Sequence, residues 1–461
     1  MKHLITVLLL SLIIGLAGCK QSGSQVIFGE GQNKLSTLKG QVEVKDNILT
    51  LSGGDAEVLL KGGDYTNFIL TAEIRTQNKG KGAIWFHTDP ALDKGYSIAI
   101  NNDFDDPVWW KMTGSLVSVR NLPKSFVRDD EWFTLQIKVE GQLVYVTVNG
   151  TPIVEYIEPQ QPWRTAEHAN TRLSKGTFAF QSTGTGTIQY RDIHVEALEP
   201  KGIDLAQQAM AVNEQEDEII RLHQEDFPVL DYHVHLKGGL TREVAASQSR
   251  RLGINYAIAP NCGIGFPITD DKGIYAFLDE MRSEPFILAM QAEGREWLTT
   301  FSQEARDEFD YVFTDALTFT DNKGRRSRIW VPSQTFIEDE QEYMDMLVDK
   351  ICDVLKEPVD IYVNPCYLPD AMNDRYDEFW TEARIDRFVS ALKESGKALE
   401  INELYEIPSK AILLKAKAAG VKFTFGSNNV TPDVSDLSYS IRMKKECGLT
   451  AQDMYKPKIK L

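Results

Sequence analysis

Little in this chain fits a small cross-linked scaffold or a nucleic-acid-binding protein. Five cysteines in 461 residues are too few for a disulfide-dense fold. Lysine and arginine total 50 against 67 aspartates and glutamates, a net charge of −17. The basic face that non-specific nucleic-acid binding needs is therefore missing. No Gly-rich loop of the Walker or dinucleotide type occurs, which removes the usual nucleotide sites. Beyond Leu16 no run is long and apolar enough to span a bilayer. Seven histidines leave little material for a His-rich metal cluster, so the place of each one matters. What remains is ordinary globular composition, 42% apolar and 25% charged, at a length that calls for roughly two or three domains.

Lys2 and His3 precede an apolar run from Leu4 to Leu16, which ends Leu16-Ala17-Gly18-Cys19. Residues 1–18 read as a signal peptide, too short for a stable spanning helix. The Leu-Ala-Gly-Cys ending resembles the bacterial lipobox. That resemblance implies a lipidated Cys19, a tether over residues 19–25 and a lipid-anchored protein of the bacterial cell envelope, periplasmic or outer-membrane. Cys262, Cys352, Cys366 and Cys447 remain; spacing does not pair them, and buried free thiols are the alternative to disulfides.

Residues 26–199 are expected to form one domain, and from about Gln41 to Leu198 the sequence reads as strands. Phe133, Leu135, Ile137 and Val139 alternate with polar residues, the period of a sheet with one buried face. Asn149-Gly150 between Val144–Val148 and Ile153–Tyr156 is a hairpin-turn signal. Strand-like runs also fall at 67–75, 82–88, 95–101, 176–182 and 187–198. Many short strands without helices predict a β-sandwich or jelly roll. Residues 200–226 are helix-compatible and predict a linker helix. From 227 to 461 strand-like pieces at 229–233, 256–260, 286–291, 311–314, 360–364, 398–402 and 422–426 alternate with helical patterns. Roughly seven β-α units predict a parallel α/β barrel, with its chemistry where strands end.

In the β domain, Gly82-Ala-Ile-Trp-Phe-His87, Gly95-Tyr96-Ser97, Glu131-Trp132, Val148-Asn149-Gly150, Gly176-Thr-Phe-Ala-Phe-Gln181 and Tyr190-Arg-Asp-Ile-His-Val195 occur in order. Together they resemble the 3-keto-disaccharide hydrolase domain, a concanavalin-like jelly roll of exported bacterial proteins. Where that family carries an acidic residue after the Gly-Tyr pair, Ser97 stands; where it carries a His after the Gln, Ser182 and Thr183 stand. Independently, Trp109 and Trp110 follow an acidic loop, Asn101 to Asp106. Aromatic faces stack on sugars and carboxylates accept their hydroxyls, so the two tryptophans are expected to bind glycan. The same loop is a weak candidate for Ca²⁺.

The sharper signal is Asp231-Tyr-His233-Val-His235-Leu-Lys237 at the end of the first barrel strand. Alternation puts both imidazoles on one side, a spacing that suits one divalent metal. Glu293, in Gln291-Ala292-Glu293-Gly294, is the expected third ligand, with Cys262 a conditional fourth; zinc is the leading ion, with manganese or cobalt as alternatives. This half resembles the polymerase and histidinol phosphatase (PHP) superfamily of metal-dependent hydrolases. The resemblance carries over His233, His235, Glu293 and the Glu400-Ile401-Asn402 pattern, and implies catalysis by Glu400. Elsewhere the family's ligands are replaced: Asn261-Cys262 on the second strand, Asn364 on the fifth, Asn428 and Asn429 on the last. Amides lose the charge a divalent ion prefers, but donate and accept as sugar hydroxyls do. Asn261, Gln291, Asn364, Asn402, Asn428 and Asn429 are therefore expected to bind substrate, and Lys237 to act as base or proton shuttle.

Three functions follow. The first is a metal-dependent hydrolase or lyase acting on carbohydrate, with a 3-keto-glycoside the specific candidate implied by resemblance and the jelly roll binding glycan. The second is a PHP-type phosphoesterase, favoured by the cations Lys323, Arg325, Arg326 and Arg328. The third is a non-catalytic glycan-binding lipoprotein with a degenerate barrel.

Overall fold

The structure, a computed structural model, describes residues 23–199 and 218–460. The expected signal peptide, Cys19 and most of the expected linker helix lie outside them; the helix Glu218–Gln224 lies within that linker range.

Alternation builds the N-terminal domain. Phe68–Gln77 and Phe133–Glu140 each bury every second residue and pair antiparallel. Leu143–Val148 turns through Asn149 and Gly150, both at positive φ (49° and 81°), into Thr151–Ile157. Positive φ at both central positions is what a two-residue hairpin with the native twist requires, and Asn-Gly tolerates it. Twelve strands form this antiparallel jelly roll. The long hairpin Leu35–Lys45 with Ile48–Leu60 is not among the predicted strands. Leu35–Lys45 is exposed along most of its length, so it has no continuous buried face to impose alternation; backbone pairing, the Lys39 ion pairs with Asp55 and Glu57, and the buried Leu35 hold it.

The C-terminal domain is a closed barrel of seven parallel strands. They run Leu230–Val234, Asn255–Ile258, Ile287–Ala292, Tyr311–Thr314, Ile361–Tyr362, Ala398–Asn402 and Phe423–Gly426. The second strand pairs with the first and third, and the first with the seventh, which closes the ring. Helices cover the outside. Glu340–Val354 starts at an Asp339 cap and buries Tyr343, Leu347, Ile351 and Val354 at three- and four-residue steps.

Inside the barrel, polarity changes from one end to the other. Near the strand starts the interior is apolar: Leu230, Tyr232, Ala257, Ile287, Ala289, Tyr311, Phe313, Ile361 and Ala398 form one cluster. Trp109 and Trp110 of the jelly roll belong to that same cluster, 6% and 8% exposed, in T-shaped contact at 5.7 Å. They are not the sugar platform expected from the sequence; they seal the lower mouth of the barrel. The C-terminal residues Tyr455 and Ile459 pack there too. Polar bonds fasten the junction. Buried Lys124 donates to Phe286 O (2.7 Å), Arg120 to Arg251 O (2.7 Å), and Asn255 Nδ2 to Asn121 O (2.9 Å).

Candidate functional site

At the upper mouth, where strands end, the interior is polar. The pairing register of the first strand shifts between Asp231 and Val234, and His233 and His235 both turn inward, with ring centroids 4.9 Å apart. Asp231 fixes this turn: its Oδ1 accepts from His233 N and from Ser427 N just past the last strand, each at 3.0 Å. Burial pushes the Asp231 carboxyl up to about 6.

A continuous hydrogen-bonded belt runs round the mouth. His233 Nδ1 donates to Glu400 Oε1 at 2.6 Å. Glu400 Oε2 accepts from Asn364 N (2.7 Å) and Asn402 Nδ2 (2.9 Å). Asn364 Oδ1 accepts from Asn402 Nδ2 and Asn428 Nδ2, while its own amide donates to Asp315 Oδ2 (2.9 Å). On the other side, His233 Nε2 lies 3.3 Å from Gln291 Oε1. Asn261 Nδ2 donates to Gln291 Oε1 (2.9 Å) and to Glu293 Oε1 (2.6 Å). Asn364 and Asn428 sit in the left-handed region (φ 48° and 47°), a conformation Asn tolerates better than other side chains and one that clusters at functional sites.

The electrostatics are those of a crowded acidic pit. Burial, with the nearby Asp315 carboxylate, raises Glu293 well above the ordinary carboxylate range, to about 8; Asn261, Arg295 and Lys237 oppose that shift. Asp315 is also raised, chiefly by burial. Half-buried Lys237 is lowered by burial and drawn back up by Glu293. His235 Nδ1 donates to Ala259 O at 2.6 Å, so Nε2 keeps its lone pair. That Nε2 is buried and finds no hydrogen-bond partner among the described residues. Burial and the charges of His233 and Lys237 hold the ring far below the usual imidazole range, hence neutral.

These donors do not fit the expected metal cage. His235 Nε2 is free in the manner of a ligand, but His233 is bound by Glu400 and Gln291, and Glu293 is held by Asn261. Among the described residues, no group of three His, Cys, Asp or Glu side chains is arranged to hold a metal ion. Cys262 points the other way. Asn261 and Cys262 are adjacent, paired respectively with Gln291 and Ala292, so alternation turns the thiol into the helix-side core with Ala292, where burial raises its pKa. Asn429 is also committed elsewhere. Its Oδ1 accepts from His235 N and its Nδ2 donates to His235 O and Thr431 O, so it shapes the loop instead of facing a ligand.

Other expected groups are already paired. In the jelly-roll loop, Lys79 holds Asp103 (3.0 Å) and Asp105 (2.9 Å), and Lys81 holds Asp106; these ion pairs leave no bare carboxylate ring for Ca²⁺. After the fourth strand, Lys323 bonds Glu338, Arg325 bonds Asp321, and Arg326 lies 3.7 Å from Glu296. The cations that favoured a phosphoesterase are thus largely paired with carboxylates.

Asp231, Asp315 and Arg295 were not among the expected site residues. Arg295 donates to Thr314 Oγ1 and Asp315 O and pairs with Glu357, bracing the acidic side of the mouth. The available signal was position, since Asp315 follows the fourth strand directly.

The jelly roll carries a second polar face. Ile84 and Phe86 enter its core, so Trp85 stands on the opposite side of the sheet, half-buried. Its Nε1 donates to Gln181 Oε1 (3.2 Å), Gln181 Nε2 donates to Glu57 Oε1 (2.7 Å), and Lys39 pairs with Glu57 (3.1 Å). Ser97 lies across the strand pair from Trp85. An aromatic ring edged by an amide, a carboxylate and an ammonium matches the chemistry of a sugar face. His87 is structural: Nε2 donates to Thr66 O, Nδ1 accepts from Ser174 N, and burial lowers it to about 4.

Comparison with known proteins bears on this half of the chain. A candidate glycosyl hydrolase from Parabacteroides distasonis is similar over 39% of this chain and 95% of its own, at 15% identity and a TM-score of 0.34. The carbohydrate-binding module CBM66 from Bacillus subtilis is similar over 36% of this chain and 96% of its own, at 14% identity and a TM-score of 0.28. No curated protein matches the chain. Residues 23–196 match the family of the 3-keto-alpha-glucoside-1,2-lyase-like domain, which gives the N-terminal half a carbohydrate-related character.

Proposed function

We propose that this protein is a carbohydrate-active lyase or hydrolase whose reacting centre is the upper mouth of the barrel, with the Trp85 face of the jelly roll holding glycan. The class of substrate rests on the match of residues 23–196 to the 3-keto-alpha-glucoside-1,2-lyase-like domain. The chemistry rests on one observation: the same mouth holds a neutral, buried His235 with an unshared Nε2 lone pair and a Glu293 carboxyl that burial raises to about 8.

In a 3-keto-glycoside the ketone acidifies the C2 proton. His235 Nε2 accepts that proton; the C1–C2 double bond forms as the C1–O bond to the aglycone breaks. Glu293 donates its proton to the departing oxygen, and Lys237 offset the charge that develops on the C3 oxygen. The belt of Asn261, Gln291, Asn364, Asn402 and Asn428 orients the sugar hydroxyls, with Glu400 fixing His233. No step needs a metal. Residues 1–22 carry the further proposal of export and lipid anchoring through Cys19, which loss of acyl labelling in Cys19→Ser tests.

The deciding experiment offers the full chain a nitrophenyl 3-keto-glucoside and nitrophenyl phosphate, with and without chelator. Release from the keto-glucoside that survives chelation and is lost in His235→Gln is the expected result. Release from the phosphate ester alone returns the phosphoesterase reading. Neither activity, with glycan binding that Trp85→Ala abolishes, leaves a binding protein.

A further inference from the structure

The polar mouth of the barrel is ringed by apolar side chains in solvent. Ile264 is 53% exposed, Val430 56%, Leu404 39% and Tyr405 37%. They come from three separate loops, after the second, sixth and seventh strands, and each loop is tied to the pit. Gly263 packs so closely on Glu293 that a Cβ there would collide with it. Val430 follows Asn429, which holds His235. Tyr405 N donates to Asn402 Oδ1 at 3.0 Å, and its ring meets Tyr367 from the loop after the fifth strand at 4.8 Å. The Tyr405 phenol is raised by burial and then by the Asp315 and Glu400 carboxylates. Isolated exposed apolar residues are commonplace on protein surfaces, but a group of them on the loops around one polar site at the strand ends marks a ligand surface.

We infer that the barrel mouth takes a two-part ligand, a glycoside with an apolar aryl or alkyl aglycone. The sugar sits on the amide belt with one hydroxyl or C–H towards His235 Nε2, and the aglycone lies against Ile264, Tyr405 and Val430. A disaccharide would place a second hydrated ring on this collar and lose that contact. The floor sets the carboxyl groups of Glu293, Asp315 and Glu400 among its amides, an acidic lining that suits a neutral amphiphile over a phosphorylated one. This inference rests on the carbohydrate reading of the mouth and adds the nature of the leaving group.

The test is calorimetric titration of the full chain in the Trp85→Ala background, which silences the jelly-roll face. The probes are phenyl 3-keto-glucoside, methyl 3-keto-glucoside and a 3-keto-disaccharide. The phenyl compound is expected to bind about tenfold or more tightly than the methyl compound, from apolar area buried on the collar. Ile264→Ser with Tyr405→Ser is expected to erase that ratio while leaving methyl affinity within about twofold. These loop substitutions are on exposed side chains, and a thermal melt matching the parent controls for folding. Equal affinity for phenyl and methyl compounds, or a ratio that survives the double variant, overturns the collar. So does tighter binding of the disaccharide. Absence of binding by all three overturns the carbohydrate reading of the mouth as well.

Discussion

The lower end of the barrel is closed by tryptophans borrowed from another domain, and the upper end is organised by hydrogen bonds among the barrel's own side chains. Both ends are built on the same seven strands. Below, Trp109 and Trp110 complete an apolar layer, and close packing there stabilises the whole molecule. Above, His233, Glu400, Asp315 and Glu293 crowd buried ionisable groups into one pit, which costs stability and prepares chemistry. The contrast separates residues selected for packing from residues retained despite their cost.

Three changes break or sharpen that contrast. The largest effect is expected below. Trp109→Ala with Trp110→Ala empties the lower mouth and should cost at least about 4 kcal/mol, read as a large fall in the unfolding midpoint of the full chain in denaturant. Loss of less than about 1 kcal/mol would show that the lower end does not depend on the other domain.

Above, the sign reverses. Glu293 has a folded pKa raised to about 8 against an ordinary value of 4.5. The unfolded chain ionises first, so this group's contribution is most favourable below pH 4.5 and is lost as pH rises through about 8. Glu293→Gln, which still accepts from Asn261, should therefore stabilise at pH 8.5 by on the order of 2 kcal/mol and hardly at all at pH 5. Melting curves of both proteins at the two pH values check it; a pH-independent difference would count against a buried titrating carboxyl.

The smallest effect lies at the junction. His223 accepts from Asn121 N, donates to Gly253 O (2.8 Å), and is lowered by burial to about 3. Its neutral form is native, so stability from this group is full above pH 6.5 and declines as pH falls towards 3. His223→Gln should flatten the slope of stability against pH between 6.5 and 5 by about 1 kcal/mol per pH unit. An unchanged slope would assign acid sensitivity to other groups.

Much of this architecture was legible in the sequence, and the reasons are physical. Period two at Phe133–Glu140 and the recurrence of strand and helix after Val229 each report a buried face, so the jelly roll and the barrel could be read. That His233, His235, Glu293, Glu400 and the asparagines would stand together at one end of the barrel was legible because all of them follow or end parallel strands. Three things were not. Trp109 and Trp110 look identical as a sugar platform or as a plug, because the surface they cover belongs to residues more than a hundred positions away. The metal expectation followed ligand identity, whereas the outcome turned on who holds whom: Asn261 on Glu293, Glu400 on His233. Cys262 and Asn261 are neighbours in sequence but face opposite sides of one strand, and only the pairing register decides which enters the pit.

The borrowed tryptophans also bear on how such a protein can change over generations. A barrel whose floor is supplied by its neighbour cannot be shuffled into a new gene without that neighbour, nor the neighbour without leaving two large rings in water. Insertions in the upper loops are free to explore new leaving groups, since nothing in the other domain touches them among the described contacts at the mouth. The two halves are thus bound to a common history at one end and open to divergence at the other.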